Sequence, residues 1–138
     1  SADLLHIVQG GANKKLTVQN LLENVAGNVK IDGFLAFDGT AEATTAAGSA
    51  VAIGVTAPLT NITSTGATIS SNSLTLADGV QGQIKIITLI VDGGNVDVTP
   101  ANFLNGTKWT MEDAGDSMTV IFNGANWQVL ANNGCTVS

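Results

Sequence analysis

Residues 74–134 read LTLADGVQGQIKIITLIVDGGNVDVTPANFLNGTKWTMEDAGDSMTVIFNGANWQVLANNG, and this stretch decides the fold. Short apolar runs alternate in it with Asp-Gly, Gly-Gly and Asn-Gly pairs, which favour tight turns between strands. Short runs spaced by about 8–12 residues predict an all-β sandwich or barrel. Ile84–Val91 is apolar at both alternating sets of positions apart from Lys85 and Thr88, which indicates a central strand covered on both faces.

The same two-residue period begins further upstream, where Val51, Ile53 and Val55 alternate with small residues. We therefore predict that residues 50–138 fold as one antiparallel β-sandwich or jelly-roll-like domain. Residues 38–50, DGTAEATTAAGSA, carry no large apolar side chain and are interpreted as a linker or loop. Residues 1–49 therefore comprise an N-terminal arm and this linker.

The arm has a pattern of its own. Its residues 3–11, DLLHIVQGG, form an apolar run that ends in Gly-Gly, which predicts a strand and a turn. Thr17 is a suitable N-cap for a short helix that continues to about Val25. A helix of about two turns is not stable alone in water, so the arm must dock on the β-domain or on a neighbouring protein. The apolar side chains expected to make this contact are Leu4, Leu5, Ile7, Val8, Leu21 and Leu22.

Composition excludes several classes of partner. The chain has 138 residues and a net charge of −6, and its charged content of 12% is about half of the usual quarter. Lys14-Lys15 is the only basic pair, so nucleic-acid binding is not expected. No apolar run reaches the roughly 18 residues of a membrane-spanning helix. Cys135 is the only cysteine and cannot form an internal disulfide, so stability must come from packing or from oligomerisation.

Reactive side chains are scarce. The chain has one histidine, His6, one cysteine and no tyrosine. Acidic residues cluster in two turns, at 92–97 and 112–116, but their spacing does not match a calcium-binding loop. We interpret them as turn formers whose side chains bond to their own backbone. The sequence therefore predicts no catalytic residue, metal ligand or cofactor, and we do not expect an enzyme.

Trp109 and Trp127 are candidates for an interface or a ligand contact. Tryptophan combines a large apolar area with a polar N–H group, and it can anchor an interface or stack on a sugar. The alternative, which we favour, is core packing on neighbouring strands.

Two stretches resemble a known class of protein. Residues 3–11, DLLHIVQGG, and 15–22, KLTVQNLL, resemble a short N-terminal module of tailed-bacteriophage virion proteins that precedes a fibre or appendage. Residues 74–134 resemble β-domains that end phage structural proteins, particularly those of marine and cyanobacterial phages. The resemblance covers about the first fifth and the last half of the chain. It implies a β-rich, often trimeric module exposed on the particle, and it carries over no catalytic residue.

The short segment between these stretches separates the functional alternatives. Long tail fibres usually have extended repeats there, which this chain lacks. The expectation is a capsid decoration (cement) protein of a tailed phage, a homotrimer on the capsid exterior that binds the major capsid protein or another virion protein. One alternative is a short head or tail fibre that recognises a host surface glycan. Another is a depolymerase, which would need a pair of carboxylates in a cleft.

Overall fold

The computed structural model describes residues 5–9, 12–16, 42–46, 50–65 and 73–138. The chain divides into two compact units, Ser1–Ala36 and Phe37–Ser138. In the first unit, β1 (Leu5–Gln9) pairs antiparallel with β2 (Ala12–Leu16). The strand predicted at the start of the arm is confirmed, whereas the helix predicted from Thr17 lies outside the described residues.

The described residues of the second unit form two sheets of five strands each. In chain order the strands are β3 (Glu42–Ala46), β4 (Val51–Ile53), β5 (Leu59–Ser64), β6 (Ser73–Leu76), β7 (Ile84–Val91), β8 (Val96–Pro100), β9 (Trp109–Met111), β10 (Ser117–Phe122), β11 (Trp127–Asn133) and β12 (Thr136–Val137). Sheet 1 has the strand order β11-β10-β7-β5-β3, and sheet 2 has the order β12-β9-β8-β6-β4. None of the described residues is helical, so the prediction of a sandwich-like all-β fold is confirmed at this level.

The first six of these strands form two parallel groups of three, one in each sheet. The chain alternates between the sheets, so that β3, β5 and β7 lie parallel in sheet 1 while β4, β6 and β8 lie parallel in sheet 2. Parallel neighbours need a crossover connection, and here each crossover contains a strand of the other sheet. The antiparallel form of the predicted sandwich is therefore wrong for this part, and the jelly-roll is not confirmed. The two-residue period could not distinguish them, because it is the same in parallel and antiparallel strands.

The last four strands extend both sheets on one side by antiparallel pairing. β9 pairs with β8 and β10 with β7, while β11 and β12 add to β10 and β9. The hairpin predicted at Asn123-Gly124 joins β10 to β11 and places Phe122 opposite Trp127. Gly124 has a φ of +100°, which a residue with a side chain adopts only at a cost.

Strand β3 lies within the segment predicted to be a linker. Its side chains alternate, with Thr44 and Ala46 buried and Ala43 and Thr45 exposed. Thr44 lies beside Ile62 in the neighbouring strand β5. The prediction missed this strand because it required large apolar residues, whereas a strand at the edge of a sheet can be held by small side chains and ladder hydrogen bonds.

The core lies between the two sheets. Its buried side chains include Ile62, Ile87, Leu89, Met118, Val120 and Phe122 from sheet 1 and Leu74, Leu76, Val96, Val98 and Met111 from sheet 2.

The segment 102–105 covers the edge of sheet 1 where β11 begins. Trp127 N donates to Asn102 O at 2.9 Å, and Leu104 N donates to Trp127 O at 2.9 Å. Such a cover opposes strand addition at this end of β11.

Within the described ranges, no helix is long and apolar enough to cross a membrane.

Candidate functional site

The predicted docking residues of the arm fall partly on a described strand. Leu5, Ile7 and Val8 lie in β1, opposite Leu16, Lys14 and Asn13 of β2. The other three, Leu4, Leu21 and Leu22, lie outside the described residues. The docking role of all six stays a prediction.

Both tryptophan side chains are completely buried in the core. Trp127 Nε1 donates to Ala77 O at 2.9 Å, and its ring packs edge-on against Phe122 with 5.3 Å between the ring centroids. Trp109 packs in the same way against Phe103, also at 5.3 Å, but its Nε1 has no hydrogen-bond partner. This placement agrees with the core-packing interpretation, because neither ring reaches the surface of this chain. Among the described residues, no aromatic side chain is exposed.

The carboxylates of the two acidic turns bond to nearby backbone groups. Asp116 Oδ2 accepts hydrogen bonds from Glu112 N at 2.8 Å and Asp113 N at 3.1 Å. Asp92 Oδ1 accepts one from Gly94 N at 2.8 Å. These contacts confirm that Asp92 and Asp116 act as turn formers. In the part of the chain that the structure describes, no three His, Cys, Asp or Glu side chains converge as ligands of a metal ion would.

Asp97 differs from Asp92 and Asp116 because it lies within a strand. It belongs to the outer side of β8 and is only 8% exposed. Its Oδ2 is 2.5 Å from Lys108 Nζ, and its Oδ1 accepts a hydrogen bond from Thr110 Oγ1 at 2.6 Å. Thr110 lies directly opposite Asp97 in the β8–β9 pair. This cluster was not predictable from the sequence, because the pairing of β8 with β9 is not visible in the pattern of either strand.

A lysine is buried on the inner side of the central strand β7. Lys85 is completely buried, and its Nζ donates to Ala57 O at 2.8 Å in the loop between β4 and β5. Two further contacts hold the same loop, since Gln83 Nε2 donates to Val55 O and Ile86 N donates to Pro58 O at 2.8 Å. A buried ammonium group is costly without polar partners. The observed contact indicates a structural role for Lys85, which fixes the loop against sheet 1.

Cys135 is the one cysteine and is buried. Burial, together with the nearby charge of Asp116, raises the pKa of the Cys135 thiol from 9.0 to about 12. The thiolate is the nucleophilic and metal-binding form of cysteine, so a thiol with this pKa is poorly suited to either role at neutral pH.

A shallow groove of about 470 Å³ lies on the outer side of sheet 2, where the parallel strands β4, β6 and β8 end. Its lining is small and mostly apolar and includes no charged side chain, so it offers no group for acid–base chemistry. The lining residues are Ala52, Thr75, Leu76, Ala77, Thr99, Pro100 and Ala101.

The outer side of sheet 1 has no charged side chain on its three central strands. Leu59, Ile86 and Thr119 lie side by side across β5, β7 and β10, and Ile84 lies opposite Ile121. These positions are half-buried and alternate with the fully buried inward positions of the core. We call this surface the uncharged face. Its members are Leu59, Asn61, Thr63, Ile84, Ile86, Thr88, Ser117, Thr119 and Ile121.

The two outer surfaces of the sandwich therefore differ in chemistry. Sheet 2 carries the Asp97–Lys108 ion pair and the small-residue groove, whereas sheet 1 presents branched apolar side chains among hydroxyl and amide groups. The signal for the uncharged face was present in the sequence, because Ile84–Val91 is apolar at both sets of alternating positions. The chain matches no family model, no curated protein and no solved structure.

Proposed function

We propose that this chain is a virion structural protein of a tailed phage, a capsid decoration (cement) protein that binds the assembled head from the outside. The observation that carries the proposal is the division of the chain into Ser1–Ala36 and Phe37–Ser138. This boundary separates the two stretches that resemble phage virion proteins, because residues 3–22 fall in the first unit and residues 74–134 in the second. A small docking unit joined to a larger β-unit suits a protein that attaches to a lattice.

The proposal includes no catalytic role. Side chains that could do chemistry are engaged in the fold instead, with Asp116 in its turn, Asp97 paired with Lys108, and the Cys135 thiol buried. Groups whose hydrogen-bonding capacity is used within the structure support a stable building block better than an active site.

Binding of the protein would stabilise the phage head by mass action. A protein that binds the assembled head, but not its unassembled or expanded forms, stabilises the assembled form by its binding free energy. The apolar side chains of the arm, Leu4, Leu5, Ile7, Val8, Leu21 and Leu22, would supply the contact with the major capsid protein or another virion protein. The β-unit would lie on the capsid exterior, as part of a homotrimer.

The structure offers less support for the glycan-binding alternative. A sugar site usually presents an aromatic ring to solvent, but Trp109 and Trp127 are completely buried and Phe103 is half-buried. The decoration role does not require an exposed aromatic side chain, and we therefore prefer it to a short receptor-binding fibre.

Binding of the 138-residue chain to phage heads that lack it tests the proposal. Wild-type protein should cosediment with the heads, and the double variant Leu21→Asp/Leu22→Asp should bind at least tenfold more weakly. Burying one leucine contributes about 1.5–3 kcal/mol, which is roughly tenfold or more in affinity. Thr99→Asp, on the exposed outer side of sheet 2, is the matched control and should bind as wild type does.

Two outcomes would count against the proposal. Failure of the wild-type protein to cosediment with heads would contradict the decoration role. If the double variant binds as well as the wild type and its thermal unfolding curve is unchanged, the assigned docking contact is wrong.

A further inference from the structure

We infer that the uncharged face is the contact between copies of this chain. The inference deepens the proposed function by naming the surface that joins the subunits, but self-association can be measured without any capsid.

The face lacks charge in a chain that carries a net charge of −6. None of the outward positions of β5, β7 and β10 is Asp, Glu, Lys or Arg, and the outward residues of the flanking strands, such as Thr45 and Gln128, are uncharged too. Two copies can therefore bring this face together without direct like-charge contacts. Surfaces that carry the acidic residues of the chain would repel each other in the same arrangement.

The polar groups of the face are complementary to themselves. A hydroxyl or an amide both donates and accepts hydrogen bonds, so Thr88, Thr119 and Asn61 can each pair with the same kind of group on a second copy. A carboxylate or an ammonium group cannot do this, because one only accepts and the other only donates. The face suits an identical surface, and it offers no counter-charge to an acidic or a basic partner.

The apolar members of the face cluster towards one end of it. Leu59, Ile84, Ile86 and Ile121 are half-buried within the chain, so part of each side chain still contacts water and would lose that contact on association. Exposed apolar residues extend the face at its rim, with Leu130 at 53% and Val91 at 49% relative exposure.

The size of the face indicates weak association. Its three strands, spaced by about 4.8 Å, span about 10 Å, and strands of about six residues extend about 20 Å, which gives a projected area of about 200 Å². A standard stable interface buries about 800 Å² of accessible surface on each partner. We therefore expect weak self-association that depends on concentration and becomes measurable between about 1 µM and 1 mM.

Sedimentation of the 138-residue chain at concentrations from about 1 µM to 1 mM tests this inference. Wild-type protein should shift from monomer to oligomer across that range. Ile86→Lys, which places an ammonium group at the centre of the face, should raise the concentration needed for association at least tenfold. Thr99→Lys adds the same group to the outer side of sheet 2 and should associate as wild type does.

A second substitution distinguishes a loss of self-association from misfolding of the variant. Thr119→Lys lies beside Ile86 and replaces a half-buried polar side chain, so it should fold even where Ile86→Lys is destabilised. Circular dichroism would establish that each variant is folded. A wild-type monomer at every concentration would overturn the inference, as would folded lysine variants at both positions that associate like the wild type. Monomeric protein that still binds phage heads would overturn the inference and the homotrimer, and would leave the decoration role standing.

Discussion

The Oδ1 atom of Asp116 occupies the space that a side chain at Gly134 would need, because a Cβ built on Gly134 would lie 1.9 Å from it. The other carboxylate oxygen of Asp116 accepts the backbone N–H groups of Glu112 and Asp113. One buried side chain therefore closes the turn before β10 and also restricts the turn between β11 and β12. Gly134 itself has a φ of +79°, a conformation that favours glycine.

Gly134→Ala should lower the free energy of unfolding by about 3 kcal/mol or more. The left-handed conformation costs a residue with a side chain about 1–2 kcal/mol, and the contact with Asp116 adds to that cost. Gly82→Ala is the matched control, since Gly82 has a φ of +84° but a Cβ there would have no neighbour within 4 Å. The control should lose only the conformational cost, about 1–2 kcal/mol. Urea denaturation measures both variants, and equal losses would contradict the assigned clash.

The stability of the protein should fall at alkaline pH because of Cys135. Its thiol has a pKa of about 12 in the folded chain against 9.0 as the ordinary value, mainly because burial disfavours the thiolate. Above pH 9 the unfolded chain releases this proton while the folded chain retains it, so unfolding becomes more favourable. The contribution is fully present below about pH 9 and is lost as the pH rises towards 12.

Cys135→Ala isolates this effect from other groups that titrate at high pH. The difference in unfolding free energy between wild type and Cys135→Ala should shrink or reverse between pH 8 and pH 11, as measured by denaturant titration at each pH. A difference that stays constant over this range would show that the thiol does not titrate as its burial implies.

The two buried tryptophans should respond differently to the same substitution. Trp127→Phe removes the hydrogen bond from Nε1 to Ala77 O, whereas Trp109→Phe removes an N–H group that has no partner. Both variants lose ring volume in the core, so the difference between them reports the hydrogen bond. Trp127→Phe should cost about 1 kcal/mol more than Trp109→Phe in unfolding free energy. The opposite order, measured by denaturant unfolding, would contradict this assignment.

Strands and turns were predictable where the signal is local. The alternation in Ile84–Val91 identified a central strand, and β7 is the third of the five strands in sheet 1. The Asn123-Gly124 pair identified the turn between β10 and β11. In both cases the information lies within a few residues of the element that it specifies.

The pairing of the strands was not predictable in the same way. Whether β5 lies parallel to β7 depends on the path of the chain through β6 in the other sheet, which no short pattern records. The polar contacts could not be predicted for the same reason, because Asp97 lies beside Thr110 only when β8 pairs with β9. The strand β3 was missed for a different reason, since its small side chains do not resemble a core element.

Lys85 points into the core although it is the one charged residue of β7, and its alkyl chain fills space there. Lys85→Ala should lower the free energy of unfolding by about 3 kcal/mol, because it leaves a cavity and removes the hydrogen bond to Ala57 O. Lys85→Met keeps an unbranched apolar chain and should lose only about 1–2 kcal/mol. Gln128→Ala truncates an exposed side chain of β11 and is the surface control, which should lose less than about 1 kcal/mol. Denaturant unfolding of the three variants measures the order, and a loss for Lys85→Ala no larger than that for Gln128→Ala would show that the buried lysine contributes nothing to the packing of the core.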